Sequence, residues 1–186
     1  MGDKYFLSTI GEEMAYQTAG TINIRYGDRE VSDYYRELDL DHAVTRTTYT
    51  SGGVKFTQEA FASFTDQLIT VRISADRPGS INCTLSYSTP MPEVSVKATS
   101  GGLRADGKGA DKSGIPGGIR YIVDTKVNVK GGRASAEGDS LRIVKASELV
   151  LHIAMATNFV NYHDISASPE ARIAEYQKAS SRNSEK

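Results

Sequence analysis

The sequence predicts a mainly β protein, an antiparallel β-sandwich closed by one C-terminal helix. Three observations carry that prediction. Short segments in which apolar and polar residues alternate recur from residue 21 to residue 157, the period-two mark of strands with one buried face. Gly-Gly, Gly-Asp and Pro-Gly pairs separate them at hairpin spacing, as tight turns require. A helix start appears only at Ser168-Pro169-Glu170, too late for strands and helices to alternate as in an α/β fold.

Taken in order, residues 1–14 read as loop, and Ile22, Ile24 and Tyr26 share one face of a first strand that ends at Gly27-Asp28. Asp33–Leu40 and Val44–Thr50 follow as two short strands joined by Asp41-His42. Gly52-Gly53 then turns the chain into Val54–Phe61, because glycine accepts positive φ at both central positions of a two-residue hairpin. Gln67–Asp76 places Ile69, Val71 and Ile73 on one side. Pro78-Gly79 carries the type II turn signature, and Ile81, Cys83, Leu85 and Tyr87 return as what reads as a second hairpin. Glu93–Ala98 resumes alternation with Val94 and Val96 inward.

Residues 100–118 hold seven glycines, with lysines, aspartates and Pro116, and read as a flexible glycine-rich loop. After it, Ile119, Tyr121, Val123, Thr125, Val127 and Val129 define the clearest strand, with Ile122 the one apolar residue on its polar side. Gly131-Gly132 and Gly138-Asp139 punctuate a meander that leads into Glu148–Thr157, where Leu149, Val150, Leu151, Ile153, Ala154 and Met155 put apolar groups on both faces. That is how a strand covered from both sides reads. The helix has Ser168 as N-cap, Pro169 at N1, Glu170 near the positive end, and Ile173 and Tyr176 three apart, the composition expected of a helix start. The serine-rich end from Lys178 reads as linker or frayed terminus. The division expected is residues 1–166 as the sandwich and 167–186 as a connector helix and tail, with about ten strands in all.

Composition narrows the function classes. With 22 basic and 23 acidic residues and a net charge of -1, the chain offers no electrostatic case for nucleic acid or an acidic membrane surface. Cys83 is the single cysteine, which precludes an internal disulfide and, in alternation with Ile81 and Leu85, reads as a small core residue. No run of about 18 apolar residues is present, and no signal-peptide pattern stands at the N-terminus.

Glu37, Asp39 and Asp41 fall at i, i+2 and i+4. In a strand they line one face roughly 6 to 7 Å apart, a separation compatible with paired-carboxylate chemistry, but equally with the wet face of a half-exposed strand neutralised by Arg36 or Arg46. His42, His152 and His163 share no ligand spacing, so no metal site is expected, and His152 in its apolar strand reads as a hydrogen-bonded core or interface residue. Gly102–Lys108 nearly spells a phosphate-binding loop, yet Gly109 stands where the magnesium-binding hydroxyl belongs. No Gly-x-Ser-x-Gly elbow exists. Nothing predicts a catalytic residue or a cofactor. Tyr34, Tyr35, Tyr49, Phe159 and Tyr162 are candidates for a sugar-stacking platform or for packing at a domain interface.

Asp33-Tyr34-Tyr35-Arg36-Glu37-Leu38-Asp39-Leu40-Asp41-His42-Ala43, Thr48-Tyr49-Thr50-Ser51-Gly52-Gly53-Val54-Lys55-Phe56 and Asp66-Gln67-Leu68-Ile69-Thr70-Val71-Arg72 follow one another in that order. Gly118-Ile119-Arg120-Tyr121, Gly131-Gly132, Glu137-Gly138-Asp139 and Ala156-Thr157-Asn158-Phe159-Val160-Asn161-Tyr162 continue the series. It resembles the N-terminal β-sandwich domain of glycoside hydrolase family 95, mainly α-L-fucosidases, over about residues 14–179. Thr18 and Ala19 replace the proline and leucine of that family's first strand, and its opening segment has no counterpart here. The resemblance implies a super-sandwich fold and, as partner, an (α/α)6 catalytic barrel, which supplies the acid and base of an inverting mechanism. None of those motifs is present, and no catalytic role is carried over.

The expectation is therefore a non-catalytic module that packs on such a barrel, with Tyr34, Tyr35, Asn158, Phe159 and Tyr162 as interdomain or sugar contacts. Asn158, Phe159 and Tyr162 are expected to fix the exit toward the barrel through exposed side chains. The alternative is a stand-alone carbohydrate-binding module for fucosylated glycans. The compartment implied is secreted or periplasmic if the parent acts on extracellular glycans, and cytoplasmic otherwise.

Overall fold

The structure, a computed structural model, describes residue 16 and residues 18–183, with the side chains of residues 179–183 left aside. The loop expected over residues 1–14 lies outside the described residues. Alternation along the chain produces twelve strands in two sheets among the described residues, plus one helix, α1 (Pro169–Asn183). Helix α1 runs past Lys178, so the expected linker there is helical at least to Asn183.

The larger sheet has eight strands. Strands β2 (Ser32–Asp39), β3 (Val44–Ser51), β4 (Val54–Ser63) and β5 (Leu68–Ala75) form one antiparallel meander. Gly52 and Gly53, at φ 57° and 70°, make the predicted β3–β4 turn. Strands β7 (Glu93–Thr99), β8 (Gly102–Lys108) and β9 (Arg120–Lys130) form a second meander. The two are joined by β12 (Glu148–Thr157), which pairs with β5 on one side and β9 on the other. The smaller sheet holds β1 (Thr21–Arg25), β6 (Ile81–Ser88), β10 (Arg133–Glu137) and β11 (Ser140–Ala146), in the order β1-β6-β11-β10.

Three expectations are corrected. Pro78-Gly79 does not close a hairpin: β5 already has β4 and β12 on its two edges, so β6 crosses into the other sheet. The chain from β9 to β12 is not a meander, because the β10–β11 hairpin lies in the small sheet while β9 and β12 are neighbours in the large one. Nor are residues 100–118 a free loop throughout. Gly102–Lys108 is strand β8, in which Leu103 and Ala105 are buried, and only the Ser100-Gly101 turn before it and the stretch between it and Arg120 lie outside the strands. The glycines are required there by close approach. A Cβ at Gly102 would lie 1.9 Å from the Thr125 carbonyl oxygen, and one at Gly107 would lie 2.2 Å from the Tyr121 ring.

The main core lies between the sheets. Ile73, Leu149, Leu151 and Val127 face Ile81, Leu85, Leu141 and Ile143 across it. Leu149 and Leu151 are wholly buried, each contributing about 1.5–3 kcal/mol by removal from water. Cys83 joins this core, and burial pushes its thiol up to about 11, so it is inert as a nucleophile. The small sheet does not cover the edge strand β2, and Leu38 stays exposed.

The outward face of the large sheet carries a second, smaller core. Helix α1 packs there, with Ile173 on Leu68, Ile122, Ala154 and Ala156. This explains why Ile122 breaks the alternation of β9 and why β12 is apolar on both faces. The N-cap forms as predicted: Ser168 Oγ accepts from the Ala171 N–H at 3.1 Å and donates to Glu170 at 2.9 Å. Gln177 seals the far turn, its side-chain amide donating to the Asp124 carboxylate at 2.9 Å and the Asp124 carbonyl at 3.1 Å.

Candidate functional site

Helix α1 covers only part of the outward face. The rest, over β3, β4, β5, β12 and β9, is a concave trough of about 700 Å³ whose walls include Phe61, Thr70, Arg72, Glu148, Val150 and His152. Sheet register stacks these side chains. Phe61 is opposite Thr70, Thr70 opposite His152, and Val150 pairs with Arg72 and Asn128.

A charge ladder crosses the same face. Arg46 donates to Glu37 at 3.2 Å and to Glu59 at 2.9 Å; Arg72 donates to Glu59 at 3.4 Å and to Glu148 at 2.9 Å. The sequence of charges is Glu, Arg, Glu, Arg, Glu over β2, β3, β4, β5 and β12. Hydrogen bonds donated to carboxylates, to Glu59 by Arg46 and to Glu148 by Arg72, hold both guanidinium groups above their ordinary value. Exposure keeps each single pair weak, but the network fixes the side chains in place.

The predicted acid ladder is thereby taken apart. Glu37 is bound by Arg46 and by the Tyr35 hydroxyl at 3.0 Å. Asp39 caps the turn after β2, accepting from the backbone N–H groups of His42 and Asp41, each at 3.1 Å, and from the His42 ring at 2.8 Å. Those bonds, the His42 N–H foremost, hold its carboxyl below the usual range. Asp41 lies beyond the strand. The carboxyl that burial does push up, Asp124, sits under Gln177 of α1, where it fastens the helix.

His152 is buried, with Nδ1 3.3 Å from Thr70 Oγ1, and burial followed by the nearby Lys126 ammonium lowers its pKa. The imidazole is neutral at pH 7. Among the described residues no group of three or more His, Cys, Asp or Glu side chains is placed to hold a metal ion. The near phosphate loop is strand β8, with its backbone paired to both neighbours.

The aromatic candidates are not brought together. Tyr34 and Tyr35 lie on β2, 62% and 57% exposed. Tyr35 shares a cross-strand row with Glu148 at the start of β12, whereas Phe159 and Tyr162 follow the end of that strand. At ordinary strand rise and spacing the two groups are separated by roughly 30 Å along the strands and about 19 Å across them. Tyr49 stacks on Phe56 in the core at 5.2 Å, next to the Arg29 guanidinium.

At the exit from β12 the three named residues part ways. Asn158 is 5% exposed, contrary to the expected open side chain. Its Oδ1 accepts from the Arg120 N–H at 2.8 Å and its Nδ2 donates to the Gly118 carbonyl at 3.1 Å. Asn158 thus latches the start of β9 to the end of β12. Phe159, Val160, Tyr162 and Ile165 remain open, Tyr162 at 85% exposure, with the His163 ring 3.8 Å from its own. Arg172 of α1 donates to the carbonyls of Thr157 at 2.7 Å and Phe159 at 2.8 Å, tying the helix to this loop.

The family model for the glycosyl hydrolase family 65 N-terminal domain matches residues 3–162. The chain belongs to that family of N-terminal domains. Relatives of this glycosyl hydrolase domain include Alpha-L-fucosidase 2 of Arabidopsis thaliana, 30% identical over 167 residues, 77% of this chain and 20% of that protein. Probable alpha-fucosidase A of Aspergillus oryzae is 27% identical over 135 residues, 72% of this chain and 18% of that protein. The domain thus spans about a fifth of the length of the relatives it matches. In fold it is similar to a putative kojibiose phosphorylase from the human microbiome, with a TM-score of 0.56 at 11% identity, over 86% of this chain and 25% of that one. The expected N-terminal glycoside hydrolase sandwich is met, with a family 65 description for the domain and fucosidases among its relatives.

Sequence reasoning missed the trough. Phe61, Thr70, His152 and Asn128 come from four separate strands, and the signal available, a shared parity within each strand, says nothing about which strands stand side by side.

Proposed function

We propose that this domain is the non-catalytic N-terminal module of an α-L-fucosidase-like glycoside hydrolase, and that it packs on and supports an (α/α)6 catalytic barrel. The observation that carries the reading is the 30% identity to Alpha-L-fucosidase 2 over only 20% of that protein: most of this chain corresponds to a small part of a far larger enzyme. The carboxylates support it, being engaged by arginines and backbone N–H groups rather than poised for proton transfer. Contact with the barrel falls to the exposed apolar loop of Phe159, Val160, Tyr162 and Ile165, since a cluster of that kind beside the root of a helix suits an interdomain surface.

Purified as the 186-residue chain, the domain is expected to leave an aryl α-L-fucoside unhydrolysed. Steady turnover that disappears in Glu37→Gln or Asp39→Asn would overturn the proposal.

A further inference from the structure

We propose that the trough on the outward face of the large sheet is a binding site for a neutral oligosaccharide. The proposal rests on the reading above only in its choice of a fucosylated probe; the site itself rests on the geometry of β4, β5, β12 and β9.

Four features point to this ligand class. The trough, at about 700 Å³, falls within the roughly 300–1,000 Å³ usual for small-ligand sites. Its charged groups engage one another, each arginine of the ladder lying between two glutamates and the central Glu59 between two arginines, which leaves three glutamates against two arginines. An anion therefore meets only arginines that are already paired, whereas a hydroxyl can donate to the carboxylates and accept from the guanidinium groups without displacing either. The third feature is apolar: Phe61, 44% exposed, and Val150 offer surface for the C–H face of a pyranose between those polar groups. Lastly, the polar groups stand on paired strands and are held by one another, so binding orders few side chains.

A docked helix fits less well. It would need a continuous apolar stripe, which Thr70 and His152 interrupt, and it would strip water from Glu59, Asp66, Arg72 and Glu148 at a cost their mutual attraction does not restore. A sugar leaves them partly hydrated.

The test is a titration of the isotopically labelled 186-residue chain with lactose and with an α-L-fucosylated lactose, followed by amide NMR. The expected result is saturable shifts centred on Phe61, Thr70, Arg72 and His152, with a dissociation constant on the order of 1 mM for at least one sugar. Phe61→Ala is expected to weaken binding about tenfold while Phe61→Tyr retains it, a contrast that loss of fold would not give. Tyr162→Ala is expected to leave it unchanged. Absence of shifts up to about 20 mM sugar, shifts confined to Tyr34, Tyr35 or Tyr162, or binding indifferent to Phe61→Ala would each overturn the proposal. A negative outcome leaves the non-catalytic module untouched, since that reading is tested by hydrolysis and not by binding.

Discussion

Replacing Asn158 by alanine separates a structural latch from an exposed contact. The side chain makes two hydrogen bonds to backbone, one from the Arg120 N–H and one to the Gly118 carbonyl, at 5% exposure. Each such bond is worth about 1 kcal/mol net, and a stranded partner adds about 1–3 kcal/mol when fully buried. Arg120 and Gly118 are themselves exposed residues, so water reaches part of what the substitution uncovers, and the loss should stay near the low end, about 2–3 kcal/mol. For a domain of this size that lowers Tm by about 4–12 °C. Tyr162→Ala, at a side chain 85% exposed, should move stability by no more than about 0.5 kcal/mol. Urea unfolding of the two variants beside the parent chain is the assay. If Asn158→Ala costs less than about 0.5 kcal/mol, or no more than Tyr162→Ala, the latch assignment is wrong.

Two further expectations concern the glycine-rich stretch and the buried histidine. Gly107→Ala should cost about 2–3 kcal/mol or more, because the new Cβ would lie 2.2 Å from a Tyr121 ring held in the core. Gly101→Ala, with its nearest neighbour at 3.8 Å, should stay within about 1 kcal/mol; equal effects in thermal melts would argue against a packed β8. His152 has a folded pKa below its ordinary 6.5, so below that pH the unfolded chain binds the extra proton first and stability falls as pH falls toward the folded value. In His152→Gln this contribution is absent. Urea unfolding at stepped pH should show a shallower decline below about 6.5 for the variant; identical slopes would mean that His152 is not held neutral by its surroundings.

Much of the fold was legible residue by residue. Alternation located the segments that became β1 to β7 and β9, an apolar run with no alternation located β12, Gly52-Gly53 marked the hairpin, and Ser168-Pro169 marked the helix start. The glycine-rich segment was misread because composition averages over neighbours: Leu103 and Ala105 carry the strand's parity, while Gly102 and Gly107 are small on account of Thr125 and Tyr121, residues about 14 to 23 positions further on. The candidate site was less legible. Tyr34, Tyr35, Phe159 and Tyr162 stand out in the sequence as aromatic candidates for a platform or an interface, but nothing local places the two pairs at opposite ends of one sheet. Asn158 looked like its neighbours and proved to be buried.

The chain by itself determined which face of each strand is apolar, where turns fall, where the helix begins, and that β12 needs cover on both sides, because side-chain alternation, capping and turn chemistry act within a few residues. Tertiary structure alone decided which sheet each strand joins, that β6 and the β10–β11 hairpin leave the large sheet, and that β12 lies between β5 and β9. Those are choices among distant edges with the same hydrogen-bonding groups, settled by which arrangement buries the apolar faces together. The trough exists only as a consequence of that order: its walls are the parts of five strands that α1 leaves uncovered.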